Sequence, residues 1–374
     1  MKRVIKKIVI LLLALVAGGA YFYIIKDFSL TDYSKEKERL EAKQGPVSSP
    51  TELRGTIAFE RDRDIWVVGV DGRGEKRLTT YQGLWAPQFS PDGQWIAYAS
   101  IPQELYGQGV APTPSNIWII SPDGEKYQKL SQQYRVATGP VWSPDARHLA
   151  IATSDSTIVI FRVRDGQEVE FINDAGPLGV IPQAPFWLTE NTFVYFKRIG
   201  TSLTEFGLGI GDIRSQQAEW LVKKPGIEKI AAGKKGKKLF YLKQEKFYQV
   251  DLKSKKETAM DWQFPAGARL TGDLEILADN QTLMAPVETV EDQASPEIEL
   301  NFWLINTLSS QSVLKRTGLE FQKNLGWSSD GYWLILNAAS TEESLSSLWL
   351  FNLETEKKQF IIKNASSPSW GFGP

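Results

Sequence analysis

Reactive side chains are few in this chain, and their spacing gives them little to do together. In 374 residues there is one histidine, His148, and no cysteine. Without a thiol there is no disulfide, no cysteine nucleophile, no thiolate–zinc site and no lipid-modified N-terminal cysteine. A Ser-His-Asp set has only His148 to draw on, no Gly-x-Ser-x-Gly elbow is present, and a histidine-based metal site needs more than one imidazole. His148 opens Arg147-His-Leu-Ala-Ile151, which reads as a strand, so its expected place is structural. Carboxylates are the remaining option. Glu104, Asp174, Glu288, Glu291 and Asp292 fall in long insertions, and two carboxyls about 5–10 Å apart would suffice for glycosidic chemistry, but no spacing marks two of them as partners. Gly207-Leu-Gly-Ile-Gly-Asp212 has the glycines of a phosphate loop. It lies where a strand is expected and lacks both a following helix and the Lys-Ser/Thr of a nucleotide loop. No catalytic, cofactor or metal residues are assigned, and a binding role is expected.

The elements that would position any site are legible as a repeat. Gln88-Phe-Ser-Pro-Asp-Gly-Gln-Trp-Ile-Ala-Tyr98 reads as a strand end, a tight turn and a second strand. Pro91 presets φ, Asp92 can accept from the turn backbone, Gly93 takes positive φ, and Trp95 to Tyr98 prefer a pleated, half-buried surface. Decayed copies place a marker residue before each turn at Phe89, Trp142, Trp187, Ala232, Ala278, Trp327 and Trp370. The steps of 43 to 53 residues suit one propeller blade per repeat. A second set of strands, beginning near Asp64, Asn116, Thr157, Glu205, Lys246, Asn301 and Ser347, also counts seven. Repeats begin in mid-blade at Thr56-Ile-Ala-Phe59 and end in mid-blade at Trp370. The C-terminal strand is therefore expected to complete the N-terminal blade, closing the ring without an exposed edge. The thirteen Trp residues are expected mainly in core and inter-blade packing.

The Trp-Ser-Pro-Asp-Gly hairpin, the Ile-Ala-Tyr that follows it, the Asn/Asp-Ile-Trp strand and the Lys-Leu-Ser or Arg-Leu-Thr after that resemble the WD-like repeats of TolB-type β-propellers. The resemblance spans about residues 55–374 and implies an all-β, seven-bladed propeller of four-stranded antiparallel blades. It implies little about function, because such repeats occur in periplasmic transport-associated proteins and in peptidase accessory domains alike. The extra α/β domain that precedes the propeller in the family's namesake has no room in the residues ahead of the repeats here, so the namesake's partners are not carried over. The Asp-containing turns Ser90–Gly93 and Ser328–Gly331 differ in spacing from the Asp-boxes of sialidases.

Ahead of the repeats, Met1-Lys-Arg-Val-Ile-Lys-Lys7 is basic and Ile8 to Ile25 carry no charge. Eighteen helical residues rise about 27 Å, enough for a thin bilayer crossing, and the basic flank favours a cytoplasmic N-terminus. Residues 1–25 are thus expected to be an uncleaved helical anchor. The aromatics Tyr21-Phe-Tyr23 continue past Gly18-Gly-Ala20, the rival signal-peptide cut. Residues 26–54 read as a stalk and linker, and 55–374 as the propeller outside the cytoplasm.

In a four-stranded meander the turns from first to second and from third to fourth strand share one face. Here these are all short, whereas Ile101–Pro114, Asn173–Pro185, Asp261–Ala268 and Glu288–Glu299 emerge on the other. Long loops on a rigid scaffold are where binding usually resides, so the loop face is the expected partner surface, with Trp85, Tyr106, Tyr134, Trp262 and Phe264 as its aromatic candidates. Residues 223–256 hold twelve Lys and three acidic residues in a chain of net charge −1. Lys234, Lys235, Lys237 and Lys238 would centre a basic sector that either meets anionic surfaces or simply resists edge association. Near neutrality of the whole gives no reason to expect nucleic-acid binding. The expectation is a membrane-held, extracytoplasmic module for a protein partner or envelope polymer. The alternatives are a small-ligand sensor or carrier using the central channel, and a carboxylate-dependent hydrolase or lyase.

Overall fold

The computed structural model describes residues 13–16, 19–22, 53–81, 83–105, 114–154, 157–172, 183–202, 205–232, 238–264, 268–277, 279, 281–290, 298–328, 332–339 and 346–371. The chain divides into two compact units, Met1–Leu53 and Arg54–Pro374. In the first, Leu13–Val16 pairs antiparallel with Gly19–Phe22. The helix expected over Ile8–Ile25 is therefore not among the described elements, and the rest of that stretch and the stalk lie outside the described residues. No helix among the described residues is long and apolar enough to cross a membrane.

The second unit is all β and holds seven blades. Blade one is built from both ends of the chain: the order runs Ser366–Gly371, Thr56–Arg61, Asp64–Gly69, Lys76–Arg77. Closure is antiparallel, with Thr56 opposite Gly371, Ile57 opposite Trp370 and Ala58 opposite Ser369. Blade two runs Leu84–Phe89, Ile96–Ser100, Asn116–Ile120, Tyr127–Lys129, and blade three Val141–Trp142, His148–Ala152, Ile158–Arg162, Gln167–Ile172. Blades four and five follow from Phe186 to Val222 and from Ile227 to Gln263 in the same meander. Blades six and seven are fused by one strand, Ser312–Trp327, which is outermost in the former and innermost in the latter. In blade six the inner edge is split into Ala268–Leu270 and Glu275–Ile276, both on Thr282–Val290. The insertion expected over Glu288–Glu299 is shorter than its sequence suggests, since pairing continues to Val290 opposite Ile298.

The turns behave as their residues dictate. In Ser90–Gly93 the Asp92 carboxylate accepts from the Ser90 hydroxyl at 2.6 Å and from the Gln94 N–H at 3.1 Å, and Ser90 Oγ accepts from the Trp95 N–H at 2.9 Å. Blade three repeats this with Ser143, Asp145, Arg147 and His148. Gly93 has φ 70°, and its counterpart Ala146 is held at φ 58°, a left-handed conformation that an L side chain resists.

Between neighbouring blades lie the core layers: Ala99, Ile117 and Ile119 against Leu149, Ile151 and Phe161, then Ile158 and Ile160 against Phe193, Tyr195 and Leu208. The repeat tryptophans lock these layers with their polar edge. Trp142 donates its indole N–H to the Gln88 carbonyl at 2.9 Å, and Trp187 to the Val141 carbonyl at 3.3 Å. Each bond joins one inner strand to the inner strand of the preceding blade. The glycines of 207–212 serve packing, as a strand: a Cβ on Gly209 would stand 2.4 Å from the buried Tyr195 ring.

Candidate functional site

Blade one turns from its second to its third strand in two residues, Asp62 and Arg63, so the ends of those strands themselves reach the loop face. The Arg63 carbonyl accepts from the N–H groups of Gly83 and Leu84, both at 3.0 Å, and the Gly83 carbonyl accepts from Ile101 N–H at 2.9 Å. This lacing draws the first strand of blade two against the turn of blade one. On the far side, Ser115 and Tyr134 exchange backbone hydrogen bonds of 2.7 and 2.9 Å, and Tyr134 O accepts from Val136 N–H at 2.9 Å. Between them opens a cleft of about 360 Å³ lined by Glu60, Arg63, Gly83, Leu84, Trp85, Ile101, Ser115 and Val136, within the size range of small-ligand sites.

Asp64 anchors the wall from below. Its fully buried carboxylate accepts from Arg77 at 2.5 Å, from the Thr79 hydroxyl at 2.8 Å and from the Tyr81 N–H at 2.9 Å, which fixes the link that leads to Gly83. Thr79 Oγ1 in turn accepts from Ile65 N–H at 2.9 Å, and in blade two Ser131 Oγ accepts from Ile117 N–H at 2.7 Å. The paired Asp/Asn-Ile-Trp and Leu-Thr/Leu-Ser motifs thus stitch the third strand to the blade-to-blade link.

Glu60 is the unusual group. Its carboxylate accepts from the Ser367 hydroxyl and the Ala86 backbone N–H, with Arg63 acting through charge; burial outweighs all three and holds the carboxyl above the usual carboxylate range. Both donors sit in left-handed backbone, Ala86 at φ 53° and Ser367 at φ 49°. They occupy matching bulges, one where the register shifts between Trp85 and Gln88, the other where it shifts between Ala58 and Glu60. Such conformations cost of order 1–3 kcal/mol each and persist where the surroundings impose them, often at functional sites.

Of the aromatic residues expected at the loop face, Trp85 lines the pocket. The Tyr134 backbone braces it, but the Tyr134 side chain turns to blade three, edge-on to Phe161 at 6.2 Å and donating to Glu168 at 2.7 Å. Trp262 belongs to the strand Glu257–Gln263, and with Phe264 it packs on Phe247 at 5.3 Å and on Trp303 at 5.9 Å. These two rings close the layer between blades five and six because an aromatic pair beside that seam buries more area there than at the rim. Tyr106 lies outside the described residues, as do Lys234, Lys235 and Lys237. Lys238 is half-buried and donates to Gln249 at 3.2 Å. Described lysines of that sector meet acids: Lys224 with Glu257 at 2.6 Å, Lys255 with Glu219 at 2.7 Å, and Lys229 with Asp273. Of the expected carboxylates, Glu104 is exposed on a short 3-10 turn, and Asp174, Glu291 and Asp292 lie outside the described residues. His148 stacks on Trp187, its ring centroid 6.4 Å away, and burial lowers its pKa. Among the described residues no group of three or more His, Asp or Glu could hold a metal.

Sequence reasoning passed over Glu60, Arg63, Ala86 and Ser367. A signal was present: proline stands two residues before the marker in Pro87, Pro140, Pro185 and Pro368. Proline inside a strand signals a bulge, since it cannot donate to the ladder.

No protein-family model matches the chain, and no curated protein matches it. Solved structures do. TolB from Acinetobacter baumannii superposes with a TM-score of 0.52 at 10% identity, over 93% of this chain and 74% of that one. Oligogalacturonate lyase from Vibrio parahaemolyticus gives 0.57 at 10% identity, over 83% and 85%, and Kuenenia stuttgartiensis hydrazine synthase 0.51 at 11%, over 74% and 78%. The TolB-type propeller fold is thereby established.

Proposed function

We propose that this protein is a membrane-held, extracytoplasmic propeller that acts as a non-enzymatic binding or scaffolding module of the bacterial envelope, engaging a protein or envelope polymer at the loop face of blades one and two. The pocket there carries the reading: a carboxylate, a guanidinium and an indole converge on apolar walls supplied by Leu84, Ile101 and Val136, the composition of a recognition site. Glycosidic hydrolysis by paired carboxyls needs two within about 5–10 Å, and Glu60 is the one carboxylate among the described residues of this lining. Attachment and orientation rest on the uncharged run Ile8–Ile25 behind a basic flank, long enough to span and signed for a cytoplasmic N-terminus.

The test is cross-linked capture from native membranes with the full-length protein, with Tyr81→Ala/Trp85→Ala on the loop face, and with Asp123→Ser on the opposite face. A partner recovered by the wild type and Asp123→Ser but lost from the double variant supports the reading; equal recovery by all three overturns it. A cytoplasm-dependent reporter fused after Pro374 is expected to be silent, and an active one rejects the topology. The second reading, a carboxylate-dependent hydrolase or lyase, draws on Glu60 alone: a carboxyl raised by burial suits a general acid. Polysaccharide cleavage abolished by Glu60→Gln would favour it.

A further inference from the structure

Resting on the binding-module reading, we propose that the pocket between blades one and two is a cation site that takes a primary ammonium carried on an aliphatic chain, the end group of a lysine side chain being the protein-borne form of it. Three observations converge. First, the direct hydrogen-bond partners of the Glu60 carboxylate are neutral, the Ser367 hydroxyl and the Ala86 N–H. A half-buried carboxylate held by neutral donors gains more from an incoming cation than one already in a hydrogen-bonded ion pair. Second, the two donors come from bulges on two different inner strands, each in left-handed backbone at a non-glycine residue. Strain of this kind is spent on aiming groups, and here both aim at one carboxylate. Third, the remaining walls match the rest of such a ligand: Trp85 offers an indole for a cation, and Leu84, Ile101 and Val136 offer surface for methylenes.

Arg63 sets the direction of entry. It lies on the exposed two-residue turn, and it acts on Glu60 through its charge. A cation entering past it meets repulsion at the mouth and attraction at the floor, so removing the guanidinium should tighten binding while removing the carboxylate abolishes it.

The probes are n-pentylamine, n-pentanol and the blocked tripeptide acetyl-Gly-Lys-Gly-amide, titrated into the full-length protein in detergent and followed by calorimetry and by the Trp85 indole N–H resonance, assigned with Trp85→Phe. Pentylamine is expected to bind and shift that resonance, pentanol to bind at least tenfold more weakly, Glu60→Gln to lose at least tenfold in affinity, and Arg63→Gln to gain severalfold. Glu60→Gln keeps the side-chain shape and an acceptor oxygen and should remain folded, which a melting curve checks, so its loss of binding reports on charge. If the tripeptide binds as well as pentylamine, the source is a protein side chain; if only the free amine binds, it is a small molecule. Absence of pentylamine binding to the wild type, equal binding by Glu60→Gln, or equal binding of pentanol would overturn the cation site. None of these results would by itself reverse the capture experiment, which reads the loop face as a whole.

Discussion

Ring closure makes the sharpest energetic prediction, because six residues at one end of the chain complete a blade begun at the other. In Ser366–Gly371, Pro368 to Gly371 are buried, and Trp370 is only 7% exposed. Trp370 pairs with Ile57, which is fully buried, and the Ser369 hydroxyl accepts from Phe89 N–H at 2.9 Å, tying the closing strand to blade two as well. Trp370→Ala removes an aromatic from this seam, a change that typically costs about 3–5 kcal/mol. At roughly 2 °C per kcal/mol for a domain of this size, the melting temperature should fall by about 6–10 °C. Deleting Ser366 to Pro374 removes in addition the Ser369 bond, worth about 1 kcal/mol, and uncovers the edge of Thr56–Arg61. The sum approaches the whole stability of an ordinary domain, about 5–15 kcal/mol, so the truncated chain should lose its cooperative transition. Scanning calorimetry of the wild type, Trp370→Ala and the truncation tests this. A truncated protein melting within about 1 °C of the wild type would refute the closure argument, since the inner strand would then contribute nothing to the ring.

Ala146→Gly should raise stability by up to about 1 kcal/mol, because it relieves a left-handed Cβ, whereas Gly93→Ala in the matching turn should lower it by a similar amount; denaturant midpoints decide. Gly209→Ala drives a methyl into the Tyr195 ring and should destabilise by about 1–3 kcal/mol, whereas a wild-type midpoint would show that the glycine is not there for packing. Burial raises the Glu60 pKa above its unfolded value. The stability associated with its proton is therefore present at low pH and lost as pH rises through the folded pKa. Glu60→Gln should accordingly melt above the wild type at neutral pH, with the difference shrinking as pH falls below the ordinary glutamate range. A variant that melts below the wild type at neutral pH would contradict the sign.

What the residues announced by themselves was local. Period, turn chemistry and strand alternation are encoded within a dozen residues, so Ser90-Pro-Asp-Gly93, Ser143-Pro-Asp-Ala146 and the third strands counted the blades correctly, and Trp370 marked the closing strand. Short contact range also explains why glycines 207–211 could be placed in a strand and why His148 could be placed at a strand start. Surface and core, by contrast, are not properties of one segment. Trp262 and Phe264 sit beside a long connection and read as rim residues, yet the seam with blade six draws them onto Phe247 and Trp303. The pocket depends still more on assembly. Glu60 is an ordinary strand residue until closure brings Ser367 from the far end of the chain beside it and packing of blade two brings Ala86. Only the closed ring removes enough water from that carboxylate to shift it, because desolvation is a collective effect of every neighbour and no neighbour in sequence supplies it. The sequence determined the blades; tertiary structure decided which of their edges became a site.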